Sequence, residues 1–111
     1  MTKISARRVD KATIFDVSGD VDMSNSPELR KALLHEIRDV RASRVIVNLS
    51  GVKYMDSSGV ASLVEALKAS RDVGSSLVLF GLSASTREVL QLSRLLKVFE
   101  VRENEEQALT F

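Results

Sequence analysis

The stretch Arg44-Val45-Ile46-Val47-Asn48-Leu49-Ser50-Gly51-Val52-Lys53-Tyr54-Met55-Asp56-Ser57-Ser58-Gly59-Val60 decides the fold. Its first six residues are a nearly continuous apolar run, the pattern of a strand covered on both faces. After a short polar connection, Val60, Leu63, Val64 and Leu67 recur at helical spacing. The spacing predicts a helix from about Ser58 to Asp72, stopped by Gly74. A buried strand feeding an amphipathic helix is half of a strand-helix-strand unit, which implies parallel pairing and a right-handed crossover.

The same alternation continues on either side. Upstream, Ile4 to Val9 and Ala12 to Ser18 read as two strands joined by a tight Asp10-Lys11 turn. Ser26 as cap, Pro27 at the first helical position and Glu28 in the first turn open a helix carrying Leu29, Leu33, Ile37 and Val40. Downstream, Leu77 to Phe80 is a short buried strand. Ser85-Thr86-Arg87-Glu88 matches a capping box ahead of Val89, Leu92 and Leu96. Val98 to Val101 reads as an edge strand, and the tail from Arg102 to Phe111 as one short helix. The expected architecture is α/β: a mixed, mostly parallel sheet of four to five strands with helices mainly on one face. The opposite face is then thinly covered, and Ile46, Val78 and Phe80 lack partners that the sequence names.

Composition narrows the function classes. The 111 residues fit a single domain, 1–111, with no linker-like segment. Sixteen basic and fifteen acidic residues give a formal charge of +1, so no global field draws the chain to nucleic acid or to an anionic membrane. The chain has no Cys, which removes disulfides and thiolate metal sites. The start has no apolar signal core and no stretch approaches a membrane span, so a cytoplasmic protein is expected. Neither a metal nor a cofactor is expected. The Gly19-Asp20-Val21-Asp22 carboxylates have no His or further acid nearby in sequence and read as solvated turn residues. The one histidine, His35, reads as a surface residue, and the nucleophile-elbow pattern is absent around Ser57, so a serine hydrolase is not expected. Arg7, Arg8, Arg38, Arg41 and Arg44 are scattered and read as solvated faces.

The chemistry concentrates in Asp56-Ser57-Ser58-Gly59, where two hydroxyls and a carboxylate gather at a helix start. The plain reading is structural: Asp or Ser caps the helix and Gly59 eases the entry. The functional reading makes Ser57 a phosphorylation site, its phosphate supported by the unpaired N–H groups of the first turn. Ser58 is then an alternative cap while Ser57 points out. Gly19, Gly51 and Gly81 each follow a proposed strand, so Asp20, Asp22, Ser24, Asp56, Ser57 and Ser58 should gather at the carboxyl edge of the sheet.

These residues carry a resemblance. Ser18-Gly19-Asp20-Val21-Asp22, the strand Val45 to Val52, the tetrad Asp56-Ser57-Ser58-Gly59, and Gly81-Leu82-Ser83 through Leu96-Lys97-Val98-Phe99 resemble the STAS domain, and within it the anti-sigma-factor antagonists. The resemblance spans nearly the whole chain. It implies a domain that binds an anti-sigma factor which is also an ATP-binding serine kinase, and that is inactivated when the kinase phosphorylates Ser57; a serine phosphatase reverses the step. Asp56 matches the motif acid, Asp22 an acid of the upstream loop, and Ser58 and Gly59 complete the recognised loop. With Ser24, these residues are the expected partner-binding edge. The chain departs from many members after the tetrad, with Val60 and Ala61 in place of Leu and Gly. The same domain also looks like the small subunit that steadies the ATPase of phospholipid-trafficking transporters, a role in which Ser57 needs no phosphate.

Overall fold

The structure, a computed structural model, describes residues 2–110. In chain order the elements are β1 (Lys3–Val9), β2 (Ala12–Ser18), α1 (Ser26–Leu34) running into a π-helical turn (His35–Val40), β3 (Arg44–Gly51), α2 (Ser57–Val73), β4 (Ser76–Phe80), α3 (Ala84–Leu92), β5 (Glu100–Arg102) and α4 (Glu105–Leu109). The five strands form one sheet in sequential order, β1-β2-β3-β4-β5. β1 and β2 are antiparallel and every other pair is parallel, as the strand-helix alternation requires. Each crossover steps to the next strand in the same direction, so α1, α2 and α3 share one face.

That face holds the larger core. Phe15, Val17, Val45, Val47, Leu49, Leu77 and Leu79 of the sheet meet Leu29, Leu33 and Ile37, then Leu63, Ala66 and Leu67, then Leu90. The other face is smaller and is not left open. Ile14, Ile46 and Val78 lie in register across three strands. With Ala12 and Phe80 they pack against Ala108, and Leu109 adds to the cluster. The short helix α4 is therefore the partner that Ile46, Val78 and Phe80 need.

Several local expectations are corrected. Asn25, not Ser26, precedes the first turn of α1, and Ser26 is buried inside it. Val40 is half-exposed because the helix widens into the π turn and ends at Arg41 in the left-handed conformation, φ 61°. Ser83, not Ser85, caps α3 by accepting the Thr86 N–H at 3.1 Å. Leu92 is 78% exposed, and Leu90 takes the core position. The helix ends there: Arg94 turns left-handed (φ 58°), its N–H donates to the Gln91 carbonyl, and the Leu95 N–H donates to the Leu90 carbonyl at 2.8 Å. This Schellman closure places Leu92 outside the packed stripe. β5 is Glu100–Arg102, shifted from Val98–Val101.

Arg44 is the largest correction. It is buried, not solvated. Its Nε donates to the Ala108 carbonyl at 2.8 Å and its guanidinium pairs with Glu100 at 3.1 Å. On the other side of α4, Arg7 pairs with Asp16 at 2.7 Å and with Glu105. These two arginines fasten α4 to the sheet. Both contacts join residues far apart in sequence, so spacing alone does not reveal them.

Candidate functional site

The carboxyl edge of β2 and β3 carries the candidate site. Beyond the regular strands, Val21 and Met55 form one further parallel bridge. The Val21 N–H donates to the Tyr54 carbonyl at 3.0 Å, and the Asp56 N–H donates to the Val21 carbonyl at 3.0 Å. Both side chains are fully buried. Asp22 and Asp56 each follow the bridge, so the two carboxylates come side by side.

Each carboxylate organises its own turn. Asp56 is the N-cap of α2: its Oδ1 accepts the Ser58 N–H at 2.9 Å, the Gly59 N–H at 3.2 Å and the Ser58 hydroxyl at 2.5 Å. Asp22 repeats the arrangement, accepting the Ser24 N–H at 2.9 Å and the Ser24 hydroxyl at 2.6 Å. Asn25 closes the first loop by accepting the Asp22 N–H at 2.9 Å and donating to the Asp20 carbonyl at 3.0 Å. Hydrogen bonds to a charged form favour it. The Ser58 hydroxyl, more than any other donor, holds Asp56 below the usual carboxylate range, with the backbone N–H groups of Gly59, Ser58 and Met23 adding to it. The Ser24 hydroxyl does the same for Asp22, with Asp56 opposing.

The serines divide their roles accordingly. Ser58 is half-buried and structural: its hydroxyl braces Asp56, and its carbonyl accepts the Ser62 hydroxyl at 3.0 Å. The cap is Asp56, so the alternative of Ser58 as cap does not hold. Ser57 is exposed at the first helical position, and among the described residues no protein group bonds its hydroxyl. One expectation changes. The Ser58 and Gly59 N–H groups already serve Asp56, so a phosphate on Ser57 meets a carboxylate there instead of two free donors. The helix dipole still favours an anion at this end.

Gly59 is buried against the bridge. A Cβ on it would come 2.6 Å from Met55 Cγ and 2.9 Å from Val21 Cγ1. The glycine lets the helix start lie on the rung that aligns the two loops.

The edge thus brings together Asp22, Ser24, Asp56, Ser57, Ser58 and Gly59. Sequence reasoning overlooks three contributors: Asn25, which ties the first loop, and Met23 and Tyr54, which stand exposed at 78% and 49% beside it. An isolated Met inside the polar run Asp22-Met23-Ser24-Asn25 is the signal that was available. The sole histidine lies elsewhere, at the carboxyl end of α1, where it bonds Asp39 at 2.9 Å. Among the described residues, no helix is long and apolar enough to cross a membrane.

Comparison with known proteins bears on the fold and the family. The STAS domain family matches residues 3–108. The chain is 35% identical over 101 residues to an anti-sigma-B factor antagonist of Listeria monocytogenes, covering 90% of this chain and 86% of that one. An anti-sigma factor antagonist from Mycobacterium paratuberculosis has a similar solved structure, with a TM-score of 0.89 at 23% identity, covering 99% of this chain and 92% of the other. The Bacillus cell fate determinant SpoIIAA in its phosphorylated form superposes with a TM-score of 0.75 at 22% identity, covering 96% of each chain. At those identities the two structures speak for the fold.

Proposed function

The chain belongs to the STAS domain family, and on that premise we propose that it is an anti-sigma factor antagonist whose docking edge is switched by phosphorylation of Ser57. The observation that carries the reading is the exposed, unbonded Ser57 hydroxyl on a rigid helix start beside the ionised Asp56. In the unmodified state the edge of Asp22, Ser24, Asp56, Ser57, Ser58 and Gly59 binds an anti-sigma factor that is also a serine kinase, and the sigma factor is released. The kinase brings ATP to the same edge. The Ser57 Oγ attacks the γ-phosphorus, the bond to the ADP oxygen breaks, and the hydroxyl proton passes to a base on the kinase. The product adds about −1.5 to −2 charges next to Asp56 and across the bridge from Asp22. Among the described residues, no Lys or Arg forms an ion pair with either carboxylate, so the added charge is not offset by a bonded cation. A partner that accepts a neutral serine then has to desolvate a doubly charged group, and it leaves. A serine phosphatase restores the hydroxyl.

The relatives favour this reading over the transporter accessory. As in those regulatory proteins, the working event is binding, and the ATP chemistry belongs to the partner. The test is binding of wild type, Ser57→Ala and Ser57→Asp to the anti-sigma factor kinase, with mass spectrometry after ATP is added. The expected result is phosphate on Ser57 alone and loss of binding for Ser57→Asp. Wild-type binding by Ser57→Asp, or phosphate on another residue, overturns the reading.

A further inference from the structure

Met23 stands out among the apolar side chains of this protein. It is 78% exposed, an exposure matched only by Leu92 among the large apolar side chains of the described residues. Its backbone is nevertheless held tightly. On one side Asp22 accepts from the Ser24 N–H and hydroxyl. Beyond that, the Asn25 and Ser26 N–H groups close on the Asp22 carbonyl at 3.1 and 2.8 Å. The Val21–Met55 bridge, with the Asp56 N–H on the Val21 carbonyl at 3.0 Å, sets this loop beside Asp56. With the backbone already fixed, burial by a partner costs only the thioether's own side-chain freedom. Methionine is also a residue type enriched in interface cores.

Geometry decides what covers it. Phosphoryl transfer needs the γ-phosphorus within about 3.5 Å of the Ser57 oxygen. A standard interface covers roughly 800 Å² per partner, a patch reaching about 16 Å from its centre. Met23 lies two residues past the Val21–Met55 bridge and Asp56 one residue past it, so both fall within such a patch centred on Ser57. Tyr54, half-exposed and two residues before Asp56, extends the apolar surface on the β3–α2 loop. Asp20, Asp22 and Asp56 border it, while the free serine sits at its margin.

We propose that Met23 is the apolar anchor through which the serine kinase docks on this chain, entering a hydrophobic pocket with a basic rim beside the kinase's catalytic centre. The inference rests on the phosphorylation reading of Ser57 and deepens it. The Val21–Met55 bridge is the joint between the two: it sets the turn that presents Met23 beside Asp56, the cap of the helix that presents Ser57. Met23 does not touch the reacting atoms, so its part is affinity and positioning.

Leu92 provides the control. It is equally exposed but lies at the carboxyl end of α3, whose amino end is the one near the site through the Ser83 hydroxyl and the Lys53 carbonyl. Binding of wild type, Met23→Ala, Met23→Leu, Leu92→Ala and Ser57→Asp to the anti-sigma factor kinase is measured with a non-hydrolysable ATP analogue present. Phosphorylation kinetics are then measured with ATP. Met23→Ala should weaken binding on the order of tenfold and raise KM for the protein substrate with kcat unchanged. Met23→Leu should recover most of the affinity, and Leu92→Ala should stay within twofold of wild type. Wild-type affinity of Met23→Ala alongside lost binding of Ser57→Asp overturns the anchor and leaves the switch standing. Wild-type affinity of Ser57→Asp overturns the switch, and the anchor with it.

Discussion

Val21 and Met55 are joined by a single parallel bridge outside the regular ladder, with N–H···O distances of 3.0 Å on both sides of Val21. That rung sets the site. It aligns a loop after β2 with a loop after β3, and the next residue on each is an aspartate. The two Asp-centred turns that follow carry Ser24 and Ser57; the Ser24 hydroxyl is taken by Asp22, whereas among the described residues no group bonds the hydroxyl of Ser57.

Gly59→Ala tests the rung directly. At an ordinary helix position the change stabilises by up to about 1 kcal/mol. Here the new methyl group meets Met55 Cγ at 2.6 Å and the stiff Val21 Cγ1 at 2.9 Å. Overpacking of this kind costs about 1–3 kcal/mol, so the steric term wins. We expect a net loss of about 1 kcal/mol in urea unfolding at unchanged m-value. A stabilised Gly59→Ala protein shows that the helix start does not rest on the bridge.

Asp56 separates capping from charge. Asp56→Ala removes the acceptor for the Ser58 and Gly59 N–H groups and should cost about 1 kcal/mol, whereas Asp56→Asn keeps an acceptor and should cost a few tenths. If the carboxylate contributes only as a cap, Asp56→Asn binds the kinase like wild type. If its charge is what the basic rim reads, Asp56→Asn keeps its stability and loses affinity. We expect the second outcome, measured as a drop in binding with a melting temperature within about 2 °C of wild type.

The acid limb of stability follows from the same hydrogen bonds. Asp16, Asp22, Asp56 and Glu105 all have pKa values lowered in the folded protein. The unfolded chain therefore binds protons more readily as pH falls through the ordinary carboxylate range near 4. The stability these groups supply is present above that range and drains away below it. Denaturation midpoints should be flat from about pH 7 to 5 and fall below about pH 4. Ser58→Ala, which removes the leading donor to Asp56, should leave a shallower fall. An equally steep fall in Ser58→Ala counts against the assigned cause.

Much of the fold is legible because its signals are local. The run Val45 to Leu49 announces a buried strand, Asp56-Ser57-Ser58-Gly59 a helix start and Gly74 a helix stop, and β3, α2 and the φ of 72° at Gly74 agree. What escapes depends on contacts remote in sequence. Arg44 reads as a surface cation until Ala108 and Glu100, 64 and 56 residues away, are brought to it. Helix α4 has only five residues, too few for periodicity to assign it to a face. The Val21–Met55 rung has no sequence signature, so the two aspartates look unrelated until the sheet edge is assembled. Within the site, Ser57 is readable from its place at a helix start, while Met23 gains meaning only once the Val21–Met55 bridge sets its loop beside Asp56.

The two arginines that hold α4 should differ in weight. Arg7 forms ion pairs with Asp16 and Glu105, but it and its partners are each about a third or more exposed. Surface pairs of that kind contribute about 0–1 kcal/mol. Arg44 is buried and donates to a backbone carbonyl. Its loss leaves Glu100 still paired with Arg102 at 2.8 Å. We expect about 1–3 kcal/mol for Arg44→Ala and under about 1 kcal/mol for Arg7→Ala. A larger effect at Arg7 reverses the assignment.

Ala108→Asp separates the second core from the switch. Ala108 is fully buried against the row of Ile14, Ile46 and Val78. Arg44, the basic group bonded to residue 108, donates to its backbone carbonyl and is already paired with Glu100. Burying the charge costs more than releasing a five-residue helix, so the cheaper response is for α4 to lift away. The expected signature is local. Amide exchange should accelerate over residues 105–109 and on β5, with a stability loss of about 2–3 kcal/mol. Kinase binding should stay within twofold of wild type, because Asp22, Asp56 and Ser57 lie on the carboxyl edge and draw their bonds from the bridge and from α2. A loss of binding that parallels the loss of α4 shows that the second sheet face is coupled to the docking edge.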